Sequence, residues 1–422
     1  MCWTCQLEIW SLVKMESSLM SKPATMETGR PAHVPKQLVM DIDIYKIDVK
    51  DRDIGRTWLD IKARAPGPVV WTDRNGGHWI PLTGKDVKTV YTNYEAFSSQ
   101  DIFIPPNGSR DNMLIPLEQD PPESLLYRKI IVPPLMPGNL TEVTQVARDK
   151  AIELIEGFIS KGECEFIGDF SLVLPVVVFL SLMGLPPEDR DYLQPLAEKS
   201  TRPESAEERL EGHLELKRYL QHYIDDRKAN PRDDLLSRSV HAMIGGEPIS
   251  DFAARQFVLN TTIGGLDTVA NLLGFVMQFL ANSPTHRQQL IDDPELIKTA
   301  SDELIRRFGV VSTARRVIKN AELTGVEVRT GDMIWPPTWL FGLDDTIVSN
   351  PLDVDFGRKS SPHMTFGGGP HVCAGMHLAK RELGILLEEW LTRIPDFQVK
   401  PGAEIKVETG MVSGLSQLPL IW

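Results

Sequence analysis

The sequence has little cysteine. Four cysteines in 422 residues exclude a disulfide framework, and Cys164 and Cys373 each stand alone, which suits a reducing cytosol. It also lacks a basic excess. Against 58 acidic residues there are 45 basic ones, a formal net charge of −13. Nucleic acid and anionic membrane surfaces both attract basic patches, so neither is expected as a partner. No internal repeat and no low-complexity block occurs. The opening MCWTCQLEIWSLVKMESSLM is too short and too interrupted by Glu8 and Lys14 to span a bilayer, and it has neither the basic start nor the small-residue cleavage site of a secretory leader. Residues 1–32 therefore read as a poorly ordered tail, with Met15, Met20 and Met26 as alternative starts. Its Cys2-x-x-Cys5 pair could bind metal or cycle redox, but no second CxxC accompanies it.

What is present is ordinary for a protein with a sizeable core: 42% hydrophobic and 24% charged residues. Val69 to Ile80, VVWTDRNGGHWI, places two apolar runs around Asn75-Gly76-Gly77, a hairpin signal. Helix punctuation dominates thereafter. Asp120-Pro121-Pro122-Glu123, Ser283-Pro284 and Asp293-Pro294-Glu295 each offer a capping side chain followed by proline. Amphipathic runs cover Thr141 to Ser160, Ser205 to Lys228, Pro294 to Phe308 and Ala374 to Ile394. The expected fold is mainly α with small β-sheets near the start and the end, one large domain from His33 to Trp422.

The longest apolar stretch, FVLNTTIGGLDTVANLLGFVMQFLAN at 257–282, is long enough for a membrane helix. Asp267 near its middle opposes that, because a mid-membrane aspartate costs about 2.5–3.5 kcal/mol. A helix apolar on all sides belongs in a large core. Gly264 and Gly265 each cost about 1 kcal/mol against alanine, and a buried Asp267 needs partners. Two readings stay open here: a kinked core helix with a satisfied aspartate, or a backbone that something must approach at Gly264-Gly265. In DELIRRF, Glu303 and Arg306 lie three apart, a spacing that permits an ion pair. Alone it carries almost no information, since most such pairs are solvated.

A third segment changes the weight of the other two. In FGGGPHVCAG (366–375), Phe366, Gly369, His371, Cys373 and Gly375 fit FxxGxHxCxG before a helix, after ExxR and after a Gly-Gly-Asp-Thr helix. That constellation resembles the cytochrome P450 family of haem-thiolate monooxygenases. The likeness is greatest to its soluble bacterial camphor-hydroxylating branch and runs almost continuously from His33 to Trp422, through NGGHW, FSSQDIFIP, DPPE, IGGLDTVAN, LTRIPDF and VSGLSQLPLIW.

The resemblance implies a P450-type domain with a long central helix over heme b, whose iron takes an axial thiolate from Cys373. Glycines let the backbone approach a haem edge, and loop N–H groups with a helix N-terminus stabilise a thiolate. By the same likeness, Glu303 and Arg306 form the structural pair beneath the haem. Arg128, Arg315 and His371 serve its propionates, and Phe366 and Gly375 frame the cysteine loop. Asp267 and Thr268 match the acid–alcohol pair that governs proton delivery to dioxygen, and Gly264 and Gly265 open that helix to oxygen. An apolar lining of Phe103, Ile263, Val311, Met411 and Val412 is kept, whereas Leu117 and Asn260 change its contour. Asn112 replaces the tyrosine that hydrogen-bonds camphor's ketone.

The expected substrate is a small apolar terpenoid or norisoprenoid, camphor-like or ionone-like, hydroxylated in the cytoplasm with O2. Between Phe356 and Glu382 there is no acid, while Arg358, Lys359, Lys380 and Arg381 accompany His363, His371 and His377. That patch would suit an acidic [2Fe-2S] ferredoxin, itself served by an NADH-dependent flavin reductase. Two alternatives are weighed: a hydrogen-peroxide-dependent peroxygenase, and a non-catalytic haem- or ligand-binding protein. The acid–alcohol pair disfavours both.

Overall fold

The computed structural model describes residues 30–422. The Cys2/Cys5 pair and the tail up to position 29 lie outside these residues. Arg30 to Ala32, read above as tail, are described: the Val34 N–H donates to the Pro31 carbonyl at 3.0 Å, and Arg30 hydrogen-bonds the Val34 carbonyl.

Among the helices of the described residues, those that position the site are α1 (Glu123–Ile131), α2 (Thr141–Phe158), α3 (Leu174–Met183), α4 (Arg190–Thr201), α5 (Ala206–Ala229), α6 (Asp251–Leu266), α7 (Thr268–Ala281), α8 (Ile297–Arg307) and α9 (Met376–Arg393). α5 shows why its sequence is helical. Arg209, Gly212, His213, Leu216, Leu220, Ile224 and Arg227 are buried at three- and four-residue spacing, and the Ser205 hydroxyl caps the first turn by accepting from the Glu208 N–H at 3.2 Å.

The proline punctuation marks boundaries without the expected side-chain caps. Ser283 and Asp293 precede their prolines but make no capping hydrogen bond. Asp120 is drawn elsewhere: its carboxylate accepts from the Ser98 hydroxyl at 2.5 Å and the Ser99 N–H at 2.9 Å, pinning a neighbouring strand. α9 starts at Met376, two residues after Ala374, because Cys373 to Gly375 are still loop.

The apolar stretch is two helices. α6 and α7 meet at Asp267, which leaves helical geometry with φ −121°. Taken as one run of 31 residues it is apolar and long enough to cross a membrane, but its most apolar window is 72% buried inside the fold.

The largest sheet joins β1 (Val69–Thr72), β2 (His78–Pro81) and β3 (Phe97–Ser98) to β4 (Arg315–Val317) and β5 (Met333–Ile334), in the order β1-β2-β5-β4-β3. β1 and β2 pair as the predicted hairpin, with Asn75, Gly76 and Gly77 all at positive φ in the turn. The sheet therefore draws on 315–334 as well as on the N-terminal third. One core cluster is built around Trp58, Trp339 and Trp390. A second gathers Phe103, Phe179, Leu216, Ile263 and Met411.

Candidate active site

The loop around Cys373 is fixed before the cysteine is reached. Gly369 sits at φ +61° with the Tyr91 carbonyl only 2.8 Å from where a Cβ would stand, so no side chain fits. The Cys373 N–H donates to the Phe366 carbonyl at 2.8 Å, and Arg128 from α1 donates to the Val372 carbonyl at 2.8 Å. Cys373 lies deep in the protein and is nevertheless exposed. A thiol open to an internal hollow accounts for both. Burial raises its pKa, while the backbone N–H groups of Gly375 and Met376 and the charge of Arg128 pull the other way. Cys164 is instead buried in the main core, its thiol pushed upward by burial.

A second opening runs along the broken helix. Most of α6 and α7 is buried, but Asn260 and Thr268 are half-buried and Gly264 is exposed, a stripe at four-residue spacing. A Cβ at Gly264 would meet nothing within 4 Å. Gly265 does not share this role. A Cβ there would overlap the Phe179 ring, so Gly265 lets α3 pack closely and does not face the opening. The Thr268 hydroxyl donates to the Gly264 carbonyl at 3.0 Å.

Asp267 and Thr268 are not one unit. The carboxylate of Asp267 is 1% exposed and fully engaged. Oδ2 accepts from the Thr201 hydroxyl at 2.7 Å and Arg202 Nη1 at 2.8 Å, and Oδ1 accepts from Arg202 Nη2 at 2.9 Å and Asn271 Nδ2 at 2.8 Å. As placed, it is a locked ion pair rather than a free acid beside Thr268. Arg202 lies 65 residues away, and nothing in the sequence points to it.

Arg315, Arg128 and His371 form a group short of negative charge. Arg315 is 2% exposed, among the described residues bonds only the Thr313 hydroxyl at 3.0 Å and the Ala314 carbonyl at 2.7 Å, and lies over the Tyr91 ring at 4.7 Å. Burial lowers the pKa of both arginines. Burial first, then Arg315 and Arg128, push His371 down to about 3, and its Nε2 has no partner among the described residues. Neither arginine pairs with a carboxylate among the described residues. The cluster fits a doubly anionic group.

Glu303 and Arg306 do pair in the interior, at 2.7 and 2.8 Å. Arg306 also donates to the carbonyls of Gly342, Pro351 and Asp353, and Glu303 accepts from Ser361 and from Arg358 at 3.1 Å. The basic patch shrinks accordingly. Arg358 is spent on Glu303, Lys380 pairs with Asp302 at 2.6 Å, and His371 is internal, leaving Lys359 and Arg381 exposed.

The apolar wall is assembled by backbone pairing. Val311 bridges Val412, Ser312 N–H donates to the Met411 carbonyl at 2.8 Å, and Ala314 N–H donates to the Ile102 carbonyl at 2.8 Å. This brings 102–104, 310–314 and 411–413 together. Phe103, Ile263 and Met411 share the second core cluster, against which Leu117 packs. Val412 departs from expectation: it is fully buried in the main core, with Val311 packed against that same cluster. Asn112 is half-buried, and its Oδ1 accepts from Lys217 Nζ at 2.7 Å. Lys217 is the second residue the sequence reading missed. The signal was there, a lysine four residues after buried His213 on the inward face of α5.

A family model for cytochrome P450 matches residues 201–419, just over half of the chain. The chain belongs to the cytochrome P450 family. This P450 is 31% identical to probable cytochrome P450 127A1 of Sinorhizobium fredii, over 82% of this chain and 84% of that one. It is 27% identical to linalool 8-monooxygenase of Pseudomonas putida, over 85% and 94%. The crystal structure of CYP101J2 superposes with a TM-score of 0.86 at 37% identity, covering 93% of this chain and 99% of that one. The P450 is thus a monooxygenase whose cofactor is cysteine-ligated heme b. The residues present fit that group: an exposed thiol in a glycine-rich loop, an exposed Gly264 with room for a Cβ, and the buried Arg315 and half-buried Arg128 with no carboxylate partner among the described residues, suited to two propionates.

Proposed function

We propose that this P450 hydroxylates a small apolar terpenoid or norisoprenoid, taking electrons from a [2Fe-2S] ferredoxin supplied by an NADH-dependent flavin reductase, in the cytoplasm. Residues 33–422 would act as one catalytic domain. The observation that carries the reading is Cys373: exposed although the fold encloses it, and approached by the backbone N–H groups of Gly375 and Met376.

When bound, heme b supplies the activation of dioxygen by which one oxygen atom enters a C–H bond and the other leaves as water. Cys373 would hold it through the thiolate, with Gly375 and Met376 N–H groups and Arg128 stabilising the charge. Arg128, Arg315 and His371 would take the propionates, and Phe366 fixes the loop through its carbonyl. Gly264 leaves space along α6. Thr268, already donating to the Gly264 carbonyl, keeps lone pairs with which to accept from a water in the hollow and steer its proton. Asp267 holds the break between α6 and α7 and reaches protons only when Arg202 lets go. Phe103, Leu117, Ile263 and Met411 exclude water from the substrate, and Asn112 and Asn260 add polar points to that wall. The terpenoid reading is supported by this lining and by the named activity of the linalool 8-monooxygenase relative.

A terpenoid panel screened for the low- to high-spin shift, followed by NADH, O2 and product measured with a reconstituted ferredoxin system, tests the reading. Coupled consumption with hydroxylated product is expected. Product formation from hydrogen peroxide alone, with none from the reductase system, would overturn it.

A further inference from the structure

The C-terminal ends of α7 and α8 converge on the turn at 51–53 and leave a cleft of about 290 Å3 between them. That size lies at the lower end of the range for small-molecule sites. The cleft is separate from the haem site, since none of Cys373, Gly264, Thr268, Arg315 and His371 lines it. Phe275 lies two turns beyond Thr268, about 10 Å further along α7, and Asn282 lies two turns beyond Phe275.

The walls are aromatic: Phe275, Phe279, Phe308 and Trp339, with the Phe279 and Phe308 ring centroids 5.3 Å apart. Polar groups wait among them. Gln278 is 8% exposed, lines the cleft, and its side-chain amide makes no hydrogen bond among the described residues. Arg307 is buried and spends Nε on the Leu352 carbonyl at 2.9 Å and Nη2 on Asp53, while Nη1 has no partner among the described residues. Gly55 keeps room for that nitrogen, because a Cβ there would stand 2.9 Å from it. A buried amide without a partner destabilises the fold. The rim is also strained. Asp51 and Arg52 take φ 51° and 58°, a conformation that residues other than glycine rarely adopt and that recurs at ligand clamps.

The charges on the lining cancel, Arg52 and Arg307 against Asp51 and Asp53. Two helix C-termini add partial negative charge, which disfavours an anion. We propose that this cleft is a second ligand site, separate from the haem pocket, for a small neutral aromatic alcohol. The ring packs against Phe275, Phe279, Phe308 and Trp339. The hydroxyl accepts from Arg307 Nη1 and donates to the Gln278 amide oxygen, using both halves of its hydrogen-bonding capacity.

The test uses the haem-loaded enzyme and 2-naphthol. Equilibrium dialysis counts bound ligand, and the spin shift reads occupancy of the haem pocket in parallel. One equivalent per protein should bind without moving the spin state. Gln278→Leu should weaken that equivalent roughly three- to tenfold, the worth of one neutral hydrogen bond. Asn282→Trp, at the exposed end of α7, should fill the cleft and block it, and this variant keeps the test open if Gln278→Leu does not fold. The spin-shift titration should be unchanged in both. Naphthalene should bind the parent cleft roughly three- to tenfold more weakly than 2-naphthol, and the gap should close in Gln278→Leu. Binding confined to the equivalent that shifts the spin state overturns the proposal, as does parent-level binding in either variant. Tighter binding of 2-naphthoate than of 2-naphthol would make this an anion site and overturn the assigned class. The haem assignment rests on Cys373 and stands in each case.

Discussion

Two of the buried acid–arginine pairs in this molecule are built differently. Glu303 and Arg306 sit one turn apart on α8, and every remaining donor and acceptor is taken by nearby carbonyls, Ser361 and Arg358. Asp267 and Arg202 come from different parts of the chain and meet at the break between α6 and α7. Arg202 also lies 3.8 Å from Glu198 and 3.6 Å from Glu408, whose side chains are 44% and 58% exposed. The first pair is closed on itself. The second joins a buried helix break to acids that touch water. A staple needs only local partners, whereas a contact at a working helix break keeps alternatives.

The strongest way to break this comparison is to neutralise each acid. Glu303→Gln leaves Arg306 and Arg358 facing an amide in the interior, and should cost about 3–5 kcal/mol. Little folded, haem-loaded protein should be recovered, as read from denaturant titration and haem content. Asp267→Asn should cost less, about 1–3 kcal/mol, because Arg202 can turn to Glu198 and Glu408. That variant should fold, bind haem and turn over oxygen slowly. Equal losses in the two variants would erase the distinction.

Thr268→Ala sharpens it. Removing one hydroxyl bonded to the Gly264 carbonyl should cost no more than about 0.5–1.5 kcal/mol, with substrate binding near normal. NADH consumption should continue while most reducing equivalents appear as hydrogen peroxide. A parent-level ratio of product to NADH would remove Thr268 from the catalytic machinery.

The smallest effect concerns Glu382, a buried carboxyl on α9 whose Oε1 has no partner among the described residues and whose pKa burial pushes up to about 8. Its folded pKa exceeds the unfolded value of 4.5. The folded state therefore holds the proton more tightly, and its contribution is greatest below pH 4.5 and fades as pH rises toward 8. Glu382→Gln should raise Tm by a few degrees at pH 8 and hardly at all at pH 5. An increase independent of pH would mean that packing, not ionisation, is responsible.

Much of the fold could be read from local pattern. The 69–80 hairpin, the spacing of buried residues on α5 and the glycine-rich loop before α9 all depend on neighbours in sequence. What escaped depends on distance. Arg202 reaches Asp267 from just past the end of α4, Arg358 turns inward to Glu303 instead of facing a partner, and Gly265 serves Phe179 rather than the opening along α6. Each is decided by which face of an element meets which neighbour, and no window along the chain contains that information. Asp120 failed as a cap for the same reason, since a strand offered its carboxylate better donors.

The central claim is that Cys373 supplies the thiolate of heme b, and the absorption spectrum of the reduced carbon monoxide complex tests it most directly. The parent should show the strongly red-shifted Soret band of a thiolate-ligated haem. Cys373→His should retain some haem and lose that band entirely. A red-shifted band that persists unchanged in Cys373→His would contradict the account.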